Sequence, residues 1–299
     1  MSRILITGAG GFLGWHICRE AVQAGLGVLG TYNSRVPAVV PGAEIVKADI
    51  TDYAGLKQLL KSFRPASIIH AAAVASPAAC AADPVYSERV NVTATANLAG
   101  IASDLNVKLL FLSTDLVFSG QNAPYTENSE PDPVCLYGEQ KVRAEISVLN
   151  ESESHCVCRM PLMFGSHPQH RDNALEFILS ALHKRKAVKM FTDEYRSMLG
   201  ALSAAEGLLF AAGNFTGLYH LGGKEKVSRY DFAVNTARIF GFDNYERYIQ
   251  PALQQEVEFS VARPPDVSMD SSKAYAGGFS PRGYLDELLI CRNVLNGNY

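Results

Sequence analysis

The sequence predicts an α/β protein built on a doubly wound parallel sheet, and three observations carry that prediction. Strand-like apolar runs alternate with helical patterns from Arg3 to Met160, a glycine cluster follows the first run, and apolar residues make up 47% of 299 residues, enough for a large core. Parallel neighbours need crossover connections, so helices must cover both faces of such a sheet.

Arg3 to Thr7 reads as the first strand, and Phe12, Leu13, Ile17, Ala21 and Val22 share one face of the helix after the glycines. Gly27 to Thr31, Ala43 to Val46 and Ser67 to Ala71 continue the strands, with a helix over Tyr53 to Phe63. Pro84, placed for a first helical turn after Asp83, opens a long helix to Leu105, and Val107 to Ser113 is the strongest strand signal. A helix over Gly138 to Leu149 and a strand over His155 to Met160 complete the alternation. Beyond Pro161 the pattern loosens into helices over Asn173 to Lys184, Leu199 to Ala212 and Arg229 to Phe240, a short strand over Gly217 to Leu221, and a terminal helix over Tyr284 to Leu295. The division expected is a nucleotide-type domain over 1–160 and a small C-terminal α/β substrate-binding region over 161–299.

A net charge of -3 and the absence of any Lys/Arg-rich tract argue against nucleic acid as a partner. The apolar start Ile4-Leu5-Ile6 ends at Gly8, and no stretch reaches membrane-spanning length, so no membrane association and a cytoplasmic location are expected. Cysteines 18, 80, 135, 156, 158 and 291 form no CxxC pair and are expected to be reduced and structural. Cys156 and Cys158 fall on one side of a strand; His167 and His170 have metal-like spacing but no supporting ligand, so no metal is expected.

Gly8-Ala9-Gly10-Gly11-Phe12-Leu13-Gly14 lies between strand and helix, the context in which a glycine turn holds a dinucleotide. Gly8 permits the sharp turn, Gly11 lets backbone approach a pyrophosphate, Gly14 lets helix and sheet close, and the helix start offers N–H donors. The carboxylate that selects NAD is missing from the end of the second strand. Thr31-Tyr32-Asn33-Ser34-Arg35 stands there, and Asn33, Ser34 and Arg35 suit the 2′-phosphate of NADP(H), which is preferred, with NAD(H) allowed. Asp49, followed by Ile50, ends the third strand where it can accept from an adenine amino group or cap the next segment.

Tyr137 and Lys141 sit one helical turn apart, and a nearby ammonium is expected to lower the tyrosine's pKa enough for acid–base work. Ser113-Thr114-Asp115 ends the strongest strand, at the sheet edge where such folds place ligands. With the glycine turn, these residues make the chain resemble the extended short-chain dehydrogenase/reductases along nearly its whole length. Ser113 to Gly120, Pro124-Tyr125-Thr126-Glu127 and Leu136 to Lys141 resemble the dTDP-4-dehydrorhamnose reductase branch, which reduces the 4-keto group of a nucleotide sugar.

The resemblance implies Thr114 as hydroxyl partner, Tyr137 as proton donor and Lys141 on the nicotinamide ribose. It also places His70-Ala71-Ala72-Ala73 beside the cofactor and Asn91 in the following helix. Ser113 and Asp115 are expected at the substrate, and Arg196 and Arg263 are candidates for its pyrophosphate, guanidinium being the usual bidentate phosphate partner. Relatives also form dimers through the helices at 84–105 and 138–149, so a homodimer is compatible with the sequence. Leu116 replaces a tyrosine usual in the branch, and Arg159-Met160-Pro161-Leu162 lacks its substrate-stacking tryptophan. The Arg-x-Pro form also occurs in a non-reductase relative, the NADP-binding regulatory β subunit of methionine adenosyltransferase. Three readings follow: a 4-keto sugar-nucleotide reductase, an NAD(P)-dependent epimerase or dehydratase, for which Asp115 would serve as the acid, or a non-catalytic NADP-binding subunit.

Overall fold

A computed structural model describes residues 2–169 and 172–297. The first part of the chain runs β1 (Arg3–Thr7), α1 (Phe12–Gln23), β2 (Gly27–Tyr32), β3 (Ala43–Lys47), α2 (Tyr53–Phe63), β4 (Ser67–His70), α3 (Pro77–Ala82), α4 (Pro84–Glu88), α5 (Ala94–Asp104), β5 (Lys108–Thr114), α6 (Leu136–Glu151) and β6 (Cys156–Met160). The remainder runs β7 (Met163–Phe164), α7 (Ala174–His183), β8 (Val188–Phe191), β9 (Tyr195–Arg196), β10 (Leu199–Gly200), α8 (Ala201–Asn214), β11 (Gly217–His220), β12 (Val227–Ser228), α9 (Arg229–Ile239), β13 (Ile249–Ala252), α10 (Ser272–Ala276) and α11 (Tyr284–Leu295).

Seven strands form one parallel sheet in the order β11-β6-β5-β4-β1-β2-β3. Strand alternation divides the core. Ile4, Ile6, Leu110, Leu112, Cys156 and Cys158 pack with α1 and α8 on one face, while Leu5, Ile68, Leu109, Phe111 and Val157 pack with α2, α5 and α6 on the other. From β1 the chain winds outward through β2 and β3, then crosses back to β4, so the order reverses between β1 and β4. Ligands of such sheets bind at the carboxyl ends near that reversal. A third core joins α7, α9 and α11 beyond that edge, through residues including Leu175, Phe232 and Leu288. The sheet draws its seventh strand, Gly217–His220, from beyond residue 160.

Two expected helices differ from the sequence pattern, and α3, α10 and the short strands β7 to β10, β12 and β13 have no counterpart in it. The run from Pro84 is helical, but a π-helical turn at Arg89–Thr93 separates α4 from α5. The wider turn holds buried Asn91, whose amide bonds both Val74 N (2.8 Å) and Val74 O (3.1 Å). The helix expected from Leu199 begins at Ala201, after the strand pair of β10 with β7. A Cβ at Gly200 would lie 2.2 Å from the Glu287 carboxylate, which bonds Ser203 N in the first turn of α8. A side chain at this position would displace Glu287 from the start of α8.

The sheet and α6 are joined by a buried ion pair. Arg159 donates to Glu145 through Nε (3.0 Å) and Nη2 (2.7 Å), and both side chains are almost wholly buried. Breaking such a pair leaves a lone buried charge, whereas replacing both partners by apolar residues removes that cost. Arg159→Met is expected to lower unfolding free energy by about 3–5 kcal/mol in urea denaturation, and Arg159→Met with Glu145→Leu to recover much of the loss.

Candidate active site

The glycine turn divides its tasks among its residues. Gly8 has φ +78°, and a Cβ there would lie 2.8 Å from Ala72 N. A Cβ at Gly14 would lie 2.0 Å from Gly8 O, so this glycine closes the helix on the turn. Gly11 has only Gly8 O near its Cβ position, at 3.2 Å, and it begins α1 with no side-chain cap, the open backbone a pyrophosphate requires. Gly10 faces the chain instead: its Cβ would lie 2.2 Å from Arg35 O, so it seats the loop after β2. Leu13 is buried in the core, and the Phe12 ring meets His16 edge-on at 5.4 Å.

A cleft of about 140 Å³ opens beside this turn, lined by Gly8, Thr31, Asn33, Ser34, Asp49, Ile50, Ala72 and Ala73. These residues come from the carboxyl ends of β1 to β4, and the donor set fits a dinucleotide. Ala71 N bonds Thr7 O at 3.3 Å, continuing the β1 pairing. Arg35 is exposed at the end of the same loop, and Asp49 accepts from Thr51 N and Oγ1, both at 2.8 Å. His70 lies below, between Thr7 Oγ1 (2.7 Å) and Thr95 Oγ1 (3.0 Å); burial, then Lys141, pulls its pKa to about 3. A larger hollow of about 520 Å³, lined by Arg3, Gly27, Glu44 and Phe63, lies at the opposite sheet edge, away from these groups.

Tyr137 and Lys141 occupy the first two turns of α6, both buried. Lys141 Nζ donates to Leu112 O at 2.7 Å and sits 4.3 Å from the centre of the Phe111 ring, and burial lowers its pKa to about 8 despite Glu145. The phenol behaves contrary to the expected lowering. Burial, followed by Cys80, Asp115 and Cys135, raises the Tyr137 pKa, while the ammonium is held 5.9 Å from the ring centre by its other contacts. The phenol therefore stays protonated at neutral pH, the form a proton donor needs.

Thr114 Oγ1 donates to Asp115 Oδ1 at 3.1 Å and accepts from Leu116 N at 3.2 Å. Burial pushes Asp115 up to about 6, against the pull of Arg196. Ser113 turns the other way, its hydroxyl donating to Glu145. Arg196 gives Nη1 to Tyr195 O (2.6 Å) and Pro265 O (3.2 Å), gives Nη2 to Pro264 O (3.1 Å), and brings Nε within 3.7 Å of Asp115 Oδ2. Arg263 forks onto Glu194 at 2.8 and 3.1 Å.

Sequence reasoning missed several neighbours of these residues. Glu194, 1% exposed, is met by Arg263, Arg196 (3.4 Å), Arg229 (3.8 Å) and Gln254 (3.0 Å). Cys80 and Cys135 pack with Tyr137, and Gln140 joins Asn91 (2.8 Å) to Ser87 (2.9 Å) behind it. The adjacency of Glu194 to Arg196 was the one readable signal. Cys156 and Cys158 are buried with sulfurs 3.8 Å apart. His167 packs on Trp15, with ring centres 4.8 Å apart, and His170 lies outside the described residues. Among the described residues no group of three His, Cys, Asp or Glu side chains is placed to hold a metal, and no helix is long and apolar enough to cross a membrane.

The parallel sheet with its order reversal, the glycine turn and the Thr114–Tyr137–Lys141 set define an extended short-chain dehydrogenase/reductase fold. Within that class the chain belongs to the family described as RmlD substrate binding domain, which matches residues 1–293. Methionine adenosyltransferase 2 subunit beta of Xenopus laevis is 30% identical over 287 residues, covering 94% of this chain and 84% of its own. A probable low-salt glycan biosynthesis reductase of Haloferax volcanii is 27% identical, covering 89% of each chain. Among solved structures, a dTDP-4-dehydrorhamnose reductase of Bacillus anthracis in complex with NADP superposes with TM-score 0.83 at 21% identity, covering 97% of this chain and 99% of that one.

Lys141 yields a pH-dependent prediction. Its folded pKa of about 8 lies below the ordinary 10.5, so between those values the unfolded chain holds a proton that the folded chain lacks, and this group's contribution to stability rises with pH. Measured by urea unfolding against Lys141→Met, which cancels the titrating cysteines common to both, the wild type is expected to gain about 1–2 kcal/mol between about pH 7.5 and 9.5. A constant difference would mean that Lys141 titrates normally.

Proposed function

We propose that the protein is an NADP(H)-dependent reductase of the 4-keto group of a nucleotide-activated deoxysugar. The observation that carries this reading is the buried Tyr137 one helical turn from Lys141, beside the carboxyl end of β5 that bears Thr114. Gly8, Gly10, Gly11 and Gly14 with Phe12 and Leu13 would hold the pyrophosphate of the cofactor, Ala71 to Ala73, Asp49 and Ile50 would line its adenosine side, and Asn33, Ser34 and Arg35 would take the 2′-phosphate. NADP(H) is favoured over NAD(H) because no carboxylate ends β2. When bound, the nicotinamide supplies the hydride.

Thr114 would hold the carbonyl oxygen, and Tyr137 O–H would protonate the alkoxide as it forms. Removing a proton from the phenol in a buried site is costly, and Lys141, held 5.9 Å from the ring centre by Leu112 O and the Phe111 ring, would serve this reading on the nicotinamide ribose. Arg196 and Arg263 would face the diphosphate, with Ser113 bracing the strand and Asp115 beside the sugar. The family relationship and the reductase names among similar proteins support this reading.

A second reading, a non-catalytic NADP-binding subunit of a larger enzyme, is favoured by the 30% identical methionine adenosyltransferase 2 subunit beta. The two separate in one assay. Purified protein with NADPH and dTDP-4-keto-6-deoxy sugars is expected to consume NADPH and release a reduced sugar; tight NADPH binding without oxidation across a panel of keto sugars would favour the subunit. Tyr137→Phe should cut turnover roughly 100-fold or more while leaving NADPH affinity nearly intact, because it removes only the transferable proton. Turnover equal to wild type would take Tyr137 out of the chemistry.

A further inference from the structure

The segment from Gln254 to Arg263 follows β13 without forming a strand or an α-helix, and it packs against the Tyr137 cluster. Both of its ends meet the Glu194 carboxylate, and the first is held as well by Asp193, which accepts from Gln254 N at 3.0 and 3.1 Å. Gln254 Nε2 donates to Glu194 Oε2 at 3.0 Å, and Arg263 donates to Glu194 through Nε at 3.1 Å and Nη2 at 2.8 Å. Between these feet, Val261 packs onto the cluster of Cys80, Cys135 and Tyr137. With the segment in this position Tyr137 is 7% exposed, Thr114 8% and Asp115 3%, so the reactive groups offer little surface to a ligand.

The charges under the segment do not balance. Arg196, Arg229 and Arg263 converge on Glu194, and among the described residues Asp115 is the other carboxylate within 4 Å of Arg196. Arg229 has a side chain 13% exposed, and its Nε and Nη1 have no hydrogen-bond partner. Burial lowers its pKa to about 10, with Arg196 and Arg263 working against the Glu194 carboxylate. Buried guanidinium N–H groups without acceptors are costly, and a second anion at this place would satisfy them. Arg263, by contrast, is 41% exposed and rests on the Phe259 ring, 5.1 Å from its centre, so it can turn without disturbing a core.

We infer that Glu194 is a latch: it holds both ends of the Gln254–Arg263 segment over Tyr137, and the diphosphate of a nucleotide ligand exchanges with it for the guanidiniums of Arg263 and Arg229. The carboxylate presents two oxygens to the arginine fork as a phosphate does, and a diphosphate brings about one more negative charge than Glu194 to a place where cations are in excess. Arg229 thereby joins the anion site as a residue that motif reading did not single out. Exchange uncovers Tyr137 only when a ligand of the right charge arrives. This inference rests on the nucleotide-sugar reading of the site.

The test uses the full chain and dTDP as probe, with calorimetry for binding and a thiol reagent for the cover, since Cys135 lies beneath Val261 and is 5% exposed. Glu194→Gln removes the competing charge, so it is expected to bind dTDP more tightly by a factor of roughly 3–10 and to let Cys135 react at least about tenfold faster, a signal that Cys135→Ser abolishes. Arg229→Met is expected to weaken dTDP by roughly tenfold, with NADPH affinity unchanged in both variants. A merely structural Glu194 would give the opposite sign, weaker dTDP binding. That result, or an unchanged thiol rate, overturns the latch. Should Glu194→Gln fold poorly, Arg263→Lys keeps the charge and loses the fork, and its Cys135 must also react faster. No dTDP binding by the wild type would remove the nucleotide reading of the site, whereas binding indifferent to Glu194→Gln removes the latch alone.

Discussion

The placement of the reactive groups depends on how α6 is held against β5 and β6, and Glu145 makes that attachment. Its carboxylate accepts from Ser113 on β5 and from Arg159 on β6 while its backbone belongs to α6. One turn earlier Lys141 reaches Leu112 O on β5, so the helix is fastened to the sheet at two levels. Gly138 allows the same approach near the helix start, where a Cβ would lie 2.2 Å from Leu116 O. With the helix so fixed, the Tyr137 phenol has little positional freedom. Preorganisation of this kind is what a proton donor requires, because its geometry must be set before the reaction begins.

The parts of this arrangement that were legible in sequence are those written in short spacings. The glycine turn, the four-residue step from Tyr137 to Lys141 and the strand ending at Thr114 each carry a local signature. Alternation also revealed the sheet, since strands buried on both faces leave continuous apolar runs such as Leu109 to Leu112. Within the turn the structure adds a role for Gly10, which serves the protein's own loop at Arg35.

What was not legible is long-range and polar. Glu194 and Arg263 are 69 residues apart, and Ser113 and Glu145 are 32 apart, so no periodicity marks either contact. Tyr137 shows a different limit. An ammonium one turn away promised an acidified phenol, but burial dominates and Lys141 spends its charge on Leu112 O and the Phe111 ring. Spacing reports which groups are near, while the dielectric around them decides what the nearness does.

The seventh strand bears on how the protein is made. β6 is complete by Met160, but the neighbour that covers its outer edge, β11, begins at Gly217. During synthesis a row of unpaired backbone donors and acceptors, with Cys156 and Cys158 alongside, must wait for some sixty residues to leave the ribosome before its partner arrives. Helix α8, whose Leu208 and Ala211 belong to the same core as α1, emerges in that interval and can shield one face of the unfinished sheet, though not its edge. Nascent chains halted between these points would expose a ready template for intermolecular strand pairing, so the hazardous stage in the life of this protein falls in a narrow and definable stretch of its translation.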